Sequence, residues 1–382
     1  MYIIVKNESH KLFLPTAKAR QYAEPMIVAG KEANLMYLAQ HKQAVPKMPI
    51  TGSFVYPHPP NYRGMCTLHY GKKEWIKMLN NLKRMGMDTI ILQAAVWNEL
   101  RECYYPSKHF AGHHSWNVVE PMLEAAKETG LAVFLGGYGS VTGWAEKLNS
   151  NMMEEEKLNQ SACYRELLKY RSLFDGFYFA PETAYCGTRD VGREKFLNEL
   201  YREFFCEIKE KTPDMQILMS PATKYFPDKM EEMKAAWMAL LNRVPLDIMA
   251  PQDSIGSCGN QLCHQHETYR AWTEVCRDLN IRFWSNIELF ERQDRLEGDS
   301  YNYTASPERV AAQINNAAPY AEKLICWEAP YYLGPDSGRK GAILRKFLNE
   351  AEQDKISHDP LHSCRNSIVE HKIPDGMLVS PP

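Results

Sequence analysis

From Pro49 onward the chain alternates between short apolar runs and longer stretches whose apolar residues recur at helical spacing. The short runs fall at 50–56, 89–95, 131–135, 176–180, 216–219, 247–250, 282–286 and 323–327. Runs of this length, bounded by Gly, Pro or polar residues, predict strands covered on both faces. Between them lie helical patterns. In the first, Trp75, Met78, Leu79, Leu82 and Met85 recur with a helical period, predicting a helix over 73–85 that Gly86 ends. Ser115 is expected to cap a helix over 116–129, closed by Gly130. Further helices are expected within 144–173 and over 193–211, 228–242, 261–279, 307–322 and 341–353, with Pro307 in a first turn.

Eight strand-then-helix units in unbroken order predict an α/β protein, a (β/α)8 TIM barrel spanning 49–353. An open doubly wound sheet would place a Gly-rich phosphate loop after its first strand. Here that position holds Pro57-His-Pro-Pro60, and proline has no N–H to offer a phosphate. Residues 1–48 are expected to be an N-terminal extension, helical over 22–41, that packs on the barrel at its bottom. Residues 354–382 carry Pro360, Pro374, Pro381 and Pro382 and are expected to be a C-terminal tail, extended or frayed.

Composition narrows the partners. Lys and Arg number 45 and Asp and Glu 47, a net charge of −2, so no basic surplus points to nucleic acid or anionic lipid. No apolar run approaches the roughly 18 residues a membrane span needs. The start, Met1-Tyr-Ile-Ile-Val-Lys6, lacks a basic lead and a long apolar run, and the ten cysteines show no Cys-x-x-Cys pair. Reduced thiols and a cytoplasmic location are therefore expected.

Chemistry in a barrel collects at the carboxyl ends of the strands. Strand two supplies Gln93 and Trp97 there, strand three Tyr138, strand four Glu182, and strand five Lys224 and Tyr225. Strand six supplies Gln252 and Asp253, strand seven Trp284, Asn286 and Glu288, and strand eight Trp327 and Glu328. Carboxylates, amides and aromatics together suit a small-molecule carbohydrate, whose ring stacks on aromatic faces and whose hydroxyls bond acids and amides. Hydrolysis of a glycoside needs two carboxyl groups flanking the bond, and Glu182 and Glu288 come from strands on opposite sides of the barrel. Gln93, Trp97, Tyr138, Tyr225, Gln252, Asp253, Trp284, Asn286, Trp327 and Glu328 are expected to bind substrate. Cys258, Cys263, His264 and His266 lack zinc-ligand spacing, and the strand ends lack histidines, so neither metal nor cofactor is expected. His109, His113 and His114 are expected in a solvated loop, and Glu154-Glu-Glu156 on a solvated helix face.

Pro49-Ile-Thr-Gly-Ser-Phe54, Ala250-Pro-Gln-Asp253 and Trp284-Ser-Asn-Ile-Glu288 resemble motifs of the bacterial TIM-barrel family labelled domain of unknown function 4434, as do Glu182 and Glu328 in their strand-end positions. The resemblance covers about 49–350. That family is similar to the retaining barrel glycosidases, which implies Glu182 as acid/base, Glu288 as nucleophile and Trp327 as a sugar platform. Those glycosidases usually carry Asn before the acid/base, where this chain has Pro181. Either Asn286 or Gln93 takes over that amide's role, or substrate and mechanism differ. Two functions stay open: a retaining glycoside hydrolase, and a barrel that binds carbohydrate without hydrolysis or acts on another sugar derivative.

Overall fold

A computed structural model describes residues 2–7, 10–15, 17–41, 45–58, 65–145, 147–292 and 303–357, with side chains described between 26 and 349. Eight parallel strands close into a barrel: β1 (Ile50–Val55), β2 (Thr89–Leu92), β3 (Ala132–Gly136), β4 (Gly176–Phe179), β5 (Gln216–Met219), β6 (Ile248–Met249), β7 (Arg282–Glu288) and β8 (Lys323–Trp327). Neighbours in sequence are neighbours in space, and β8 closes on β1. The surrounding helices are α1 (Lys72–Arg84), α2 (Val119–Thr129), α3 (Ser150–Leu167), α4 (Val191–Lys211), α5 (Met230–Leu240), α6 (Gln265–Asp278), α7 (Pro307–Ala317) and α8 (Gly338–Ser357). This is the TIM barrel that the alternation predicts.

Side chains from distant strands meet only through the barrel interior, and those contacts identify the inward face. Phe134 of β3 meets Trp284 of β7 edge to face at 5.7 Å, and Phe54 of β1 meets Tyr178 of β4 at 5.1 Å. Gly176 is needed beneath Phe134, because a Cβ there would come within 2.3 Å of that ring. Ser285, between Trp284 and Asn286, points the other way and donates to the Tyr269 hydroxyl of α6 at 3.1 Å. The period-2 alternation of a strand therefore sends Trp284, Asn286 and Glu288 inward together, from barrel floor to mouth.

Local sequence sets the helix starts. Asn149, Asp190 and Ser306 each accept from the backbone N–H three residues on, capping α3, α4 and α7. Gly130 ends α2 with a left-handed backbone, φ 71°. Ser115 does not cap α2, which starts at Val119. It belongs to a short strand, His114–Ser115, in a small four-stranded sheet with Glu102–Cys103, Val96–Trp97 and Tyr138–Gly139. Strand two is correspondingly shorter than the apolar run, since Val96 and Trp97 leave the barrel for this sheet.

The N-terminal segment begins as an antiparallel hairpin, Tyr2–Asn7 with His10–Pro15, followed by a helix, Ala17–Gln40. That helix does not pack at the barrel bottom. Asn34 bonds the Asn260 carbonyl and the Leu262 N–H, and Tyr37 donates to Asn316 of α7, so the helix lies along the outer wall between the β6 loop and α7. A wall position follows from chemistry: Asn34 satisfies backbone groups that the turn after β6 leaves open. Helix α8 runs on to Ser357, and the tail expected to be extended lies otherwise outside the described residues.

Candidate active site

Glu182 follows β4 and turns inward. Its Oε1 accepts from Gln252 Nε2 at 2.8 Å, and the same amide donates to the Ser220 carbonyl at 3.1 Å. Glu182 is half-buried. Burial pushes its carboxyl up, against the lowering effect of the Gln252 amide and the Trp144 indole. The amide that bonds Glu182 comes from the loop after β6. Asn286 lies deeper, its Nδ2 donating to Ser220 Oγ at 3.1 Å, and its Oδ1 has no hydrogen-bond partner among the described residues. Gln93 is buried at the end of β2.

Glu288 ends β7. A parallel register places it beside Trp327 of β8. Its Oε2 accepts from the backbone N–H groups of Gly256 and Ser257 at 2.7 and 2.8 Å, and its Oε1 from Ser257 Oγ at 2.6 Å. Gly256 can only be glycine there: a Cβ would come within 2.0 Å of the Phe290 carbonyl oxygen and 3.2 Å of Glu288 Oε2. Glu288 is 1% exposed. Burial and the charge of nearby Asp253 push it up, and the Ser257 donors oppose them.

Asp253 serves this corner from behind. Its carboxylate accepts from Gln313 Nε2 at 2.6 Å and from the N–H groups of Ile255 and Glu288 at 3.3 and 3.4 Å. Arg309, one helical turn before Gln313 on α7, donates to the Glu288 and Phe290 carbonyls at 3.1 and 2.5 Å. The Ser306 cap and Pro307 set where α7 begins, and so aim both side chains at the end of β7. Asp253 holds the loop and faces α7, away from the mouth.

An aromatic wall stands over β1, β2 and β8. Tyr56 meets Trp327 edge to face at 5.3 Å and Trp97 at 6.2 Å, and Phe290 meets Trp327 at 5.2 Å. Glu102 pairs with Trp97 in the small sheet, accepts from the Tyr104 hydroxyl at 2.8 Å and holds His58 Nδ1 at 2.8 Å.

Several residues expected at the mouth lie elsewhere. Trp284 is in the barrel floor, with Arg282 and Lys323 over its ring. Tyr138 stacks on Phe110 and takes a bond from Asn159 of α3, behind the small sheet. Tyr225 stacks on His264 and donates to Glu267 of α6, at the outer edge. Glu328 is fully buried, its Oε1 accepting from the Met65 N–H at 3.1 Å and its Oε2 without a partner among the described residues. Glu156 is buried, not solvated: it falls on the inner stripe of α3 with Met153, Gln160 and Tyr164. Tyr56, Trp144, Ser257 and His58 escaped the sequence reading, although His58 stands only three residues beyond β1 and Ser257 follows the glycine nearest Asp253. Among the described residues no group of three or more His, Cys, Asp or Glu side chains is arranged to hold a metal ion, and no helix is long and apolar enough to cross a membrane.

A family model described as a domain of unknown function, DUF4434, matches residues 50–338, which takes in all eight barrel strands. The chain belongs to the DUF4434 family. No curated protein matches it. Among solved structures, this DUF4434 barrel is similar to a candidate alpha-L-fucosidase from Bacteroides thetaiotaomicron VPI-5482. The identity is 16%, 82% of this chain and 94% of that one are covered, and the TM-score is 0.66. It is also similar to a GH5_18 protein from Streptomyces cattleya solved in complex with GlcNAc, at 11% identity, with 82% of each chain covered and a TM-score of 0.51. At these identities the likeness establishes the fold.

The buried acids of this DUF4434 barrel carry a pH signature. Burial pushes Glu328 up to about 8, and burial pushes Glu99 up to about 7 against the Val141 N–H that it accepts. A carboxyl raised in the folded state stabilises the fold fully below its unfolded value near 4.5, and that contribution is lost as pH climbs through 7 to 8. The urea midpoint is expected to fall between pH 5.5 and 8.5. Glu328→Gln, which keeps the acceptor for Met65, should flatten the fall, by on the order of a few kcal/mol. An unchanged slope in the variant would contradict this account.

Proposed function

We propose that this barrel hydrolyses a glycosidic bond with retention of configuration, Glu182 serving as acid and then base and Glu288 as nucleophile. The observation that carries the reading is one connected set of inward side chains. Glu182 bonds Gln252, Gln252 and Asn286 meet at Ser220, and Asn286 shares its face of β7 with Glu288, which stands beside Trp327. The aromatic wall of Tyr56, Trp97 and Trp327 supplies ring faces for a sugar.

Glu182, raised by burial, holds a proton and gives it to the glycosidic oxygen as the bond to the anomeric carbon breaks. Glu288 Oε1 has only the Ser257 hydroxyl on it among the described residues, so it keeps a lone pair to bond that carbon. Its other oxygen stays pinned by the Gly256 and Ser257 N–H groups, which orients the carboxylate. Glu182, now ionised, takes a proton from water. The hydroxide attacks the anomeric carbon and Glu288 departs as carboxylate.

One observation favours a second reading, a barrel that binds carbohydrate without cleaving it. Glu288 is nearly inaccessible and accepts three hydrogen bonds from one loop, as a structural carboxylate would. A broad panel of 4-nitrophenyl glycosides separates the two. Release of nitrophenol, with the first-formed sugar keeping its anomeric configuration by NMR, is the expected result. Sugar binding without any release would favour the second reading.

A further inference from the structure

The segment between β3 and α3 is held more firmly than a surface loop needs to be, and it ends against Glu182. Glu156 of α3 accepts from Ser140 Oγ at 2.9 Å on both carboxyl oxygens and from Thr142 Oγ1 at 2.8 Å. Gln160, one turn on, donates to the same carboxyl at 2.9 Å and to the Tyr138 carbonyl at 2.7 Å. Glu99 takes the Val141 N–H at 2.8 Å. From the other side Arg193 of α4 bonds the Gly143 carbonyl, and the Ala145 carbonyl at 3.1 Å.

The tip of this segment touches the proposed acid. A Cβ on Gly143 would come within 1.9 Å of the Glu182 carbonyl oxygen, so only glycine lets the two backbones meet. The next residue, Trp144, lies close enough to the Glu182 carboxyl for its indole to favour the ionised form. A buried carboxylate on a rigid helix, bonded to two hydroxyls of a loop that reaches the acid, is the kind of support that holds a reacting group in place.

We propose that Glu156, through the hydroxyls of Ser140 and Thr142, is a positioning residue that seats the 140–145 segment against Glu182 and thereby supplies the Trp144 indole to its carboxyl. The role has catalytic meaning only with the hydrolysis proposed above, but the contact itself does not depend on it. The titratable groups around the seat are Glu99, Glu155, Tyr138 and Tyr201, with Arg193 the cation on the segment. The groups that favour ionised Glu182 are neutral: Gln252, which bonds it at 2.8 Å, and Trp144.

The test is a 13C NMR titration of the Glu182 carboxyl in the full chain, assigned by its loss in Glu182→Gln. Trp144→Phe removes the indole donor and should move the Glu182 midpoint upward. Thr142→Val removes one hydroxyl from Glu156 while keeping the side-chain shape, and should move the midpoint in the same direction. Thr142→Ser keeps the hydroxyl and should titrate like the native protein. A native midpoint in Thr142→Val, with only the melting temperature lowered, would reduce Glu156 to a structural role and overturn the proposal. So would a native midpoint in Trp144→Phe. The titration reads Glu182 whether or not any glycoside is cleaved, so a failure of the hydrolytic reading and a failure of this one are told apart.

Discussion

Glu288→Gln is expected to abolish turnover of every glycoside, whereas Glu182→Gln is expected to spare substrates with a good leaving group. In the proposed mechanism the two carboxyls act at different moments. Without the Glu288 carboxylate no covalent intermediate forms, however easily the leaving group departs. Without Glu182 a 4-nitrophenyl group still leaves, since it needs little protonation, but the intermediate then waits for a base. An initial burst of nitrophenol followed by a slow steady state should appear, with a loss of about 10²–10⁴-fold in the slow phase, the usual size of a general acid/base contribution. Added azide should restore the Glu182 variant, because an anion needs no base to activate it. Burial pushes both carboxyls up, so both limbs of the pH profile should lie above the ordinary carboxylate range. Equal loss in both variants on activated and unactivated substrates, without burst or azide rescue, would defeat the division of labour. Gln252→Ala should raise the alkaline limb, because the Gln252 amide favours ionised Glu182.

Trp284→Ala is expected to be the most destabilising single change in the barrel floor, costing about 3–5 kcal/mol. The indole is 4% exposed and fills the space between Phe134, Arg282 and Lys323. Its removal leaves a cavity closed off by β-strands that hydrogen bonds keep from collapsing inward. Urea denaturation would read the loss, while substrate affinity measured well below the transition should stay close to native. Trp97→Ala should behave in the opposite way. That ring is half-buried at the mouth beside Tyr56, so its loss should weaken sugar binding more than it weakens the fold. If Trp284→Ala lowered affinity and left stability intact, the floor assignment would be wrong.

The strand ends were legible because a barrel needs bulky apolar residues along each strand and tolerates polar ones only where a strand stops. Glu182, Gln252, Asn286 and Glu288 all follow that rule; bonds through Ser220 link the first three, and Glu288 shares the inward face of β7 with Asn286. Trp284 obeys the same rule of alternation yet lies two turns of the pleat below Glu288, at the floor, where the ring is core. Distance along the strand separated the two, and an apolar run does not mark how deep each residue sits. Tyr138 was lost to the mouth because β3 ends at Gly136 and the chain enters the small sheet at Tyr138. Glu156 could have been recognised: it shares the spacing of Met153 and Gln160 on the inner stripe of α3.

The sequence by itself determined the order of eight strand–helix units, the closed parallel barrel that such an order allows, and which residues stand at the strand ends. Those are properties of local period and of right-handed crossover connections, and both are written along the chain. Tertiary structure alone decided what each carboxyl meets. Gln252 reaches Glu182 from a strand 70 residues away, Gly256 and Ser257 close on Glu288 from the β6 loop, and Glu156 grips a segment that ends at Glu182. The physical reason is that burial and hydrogen-bond donors set a carboxyl's protonation and direction, and these come from residues that only the closed barrel makes neighbours.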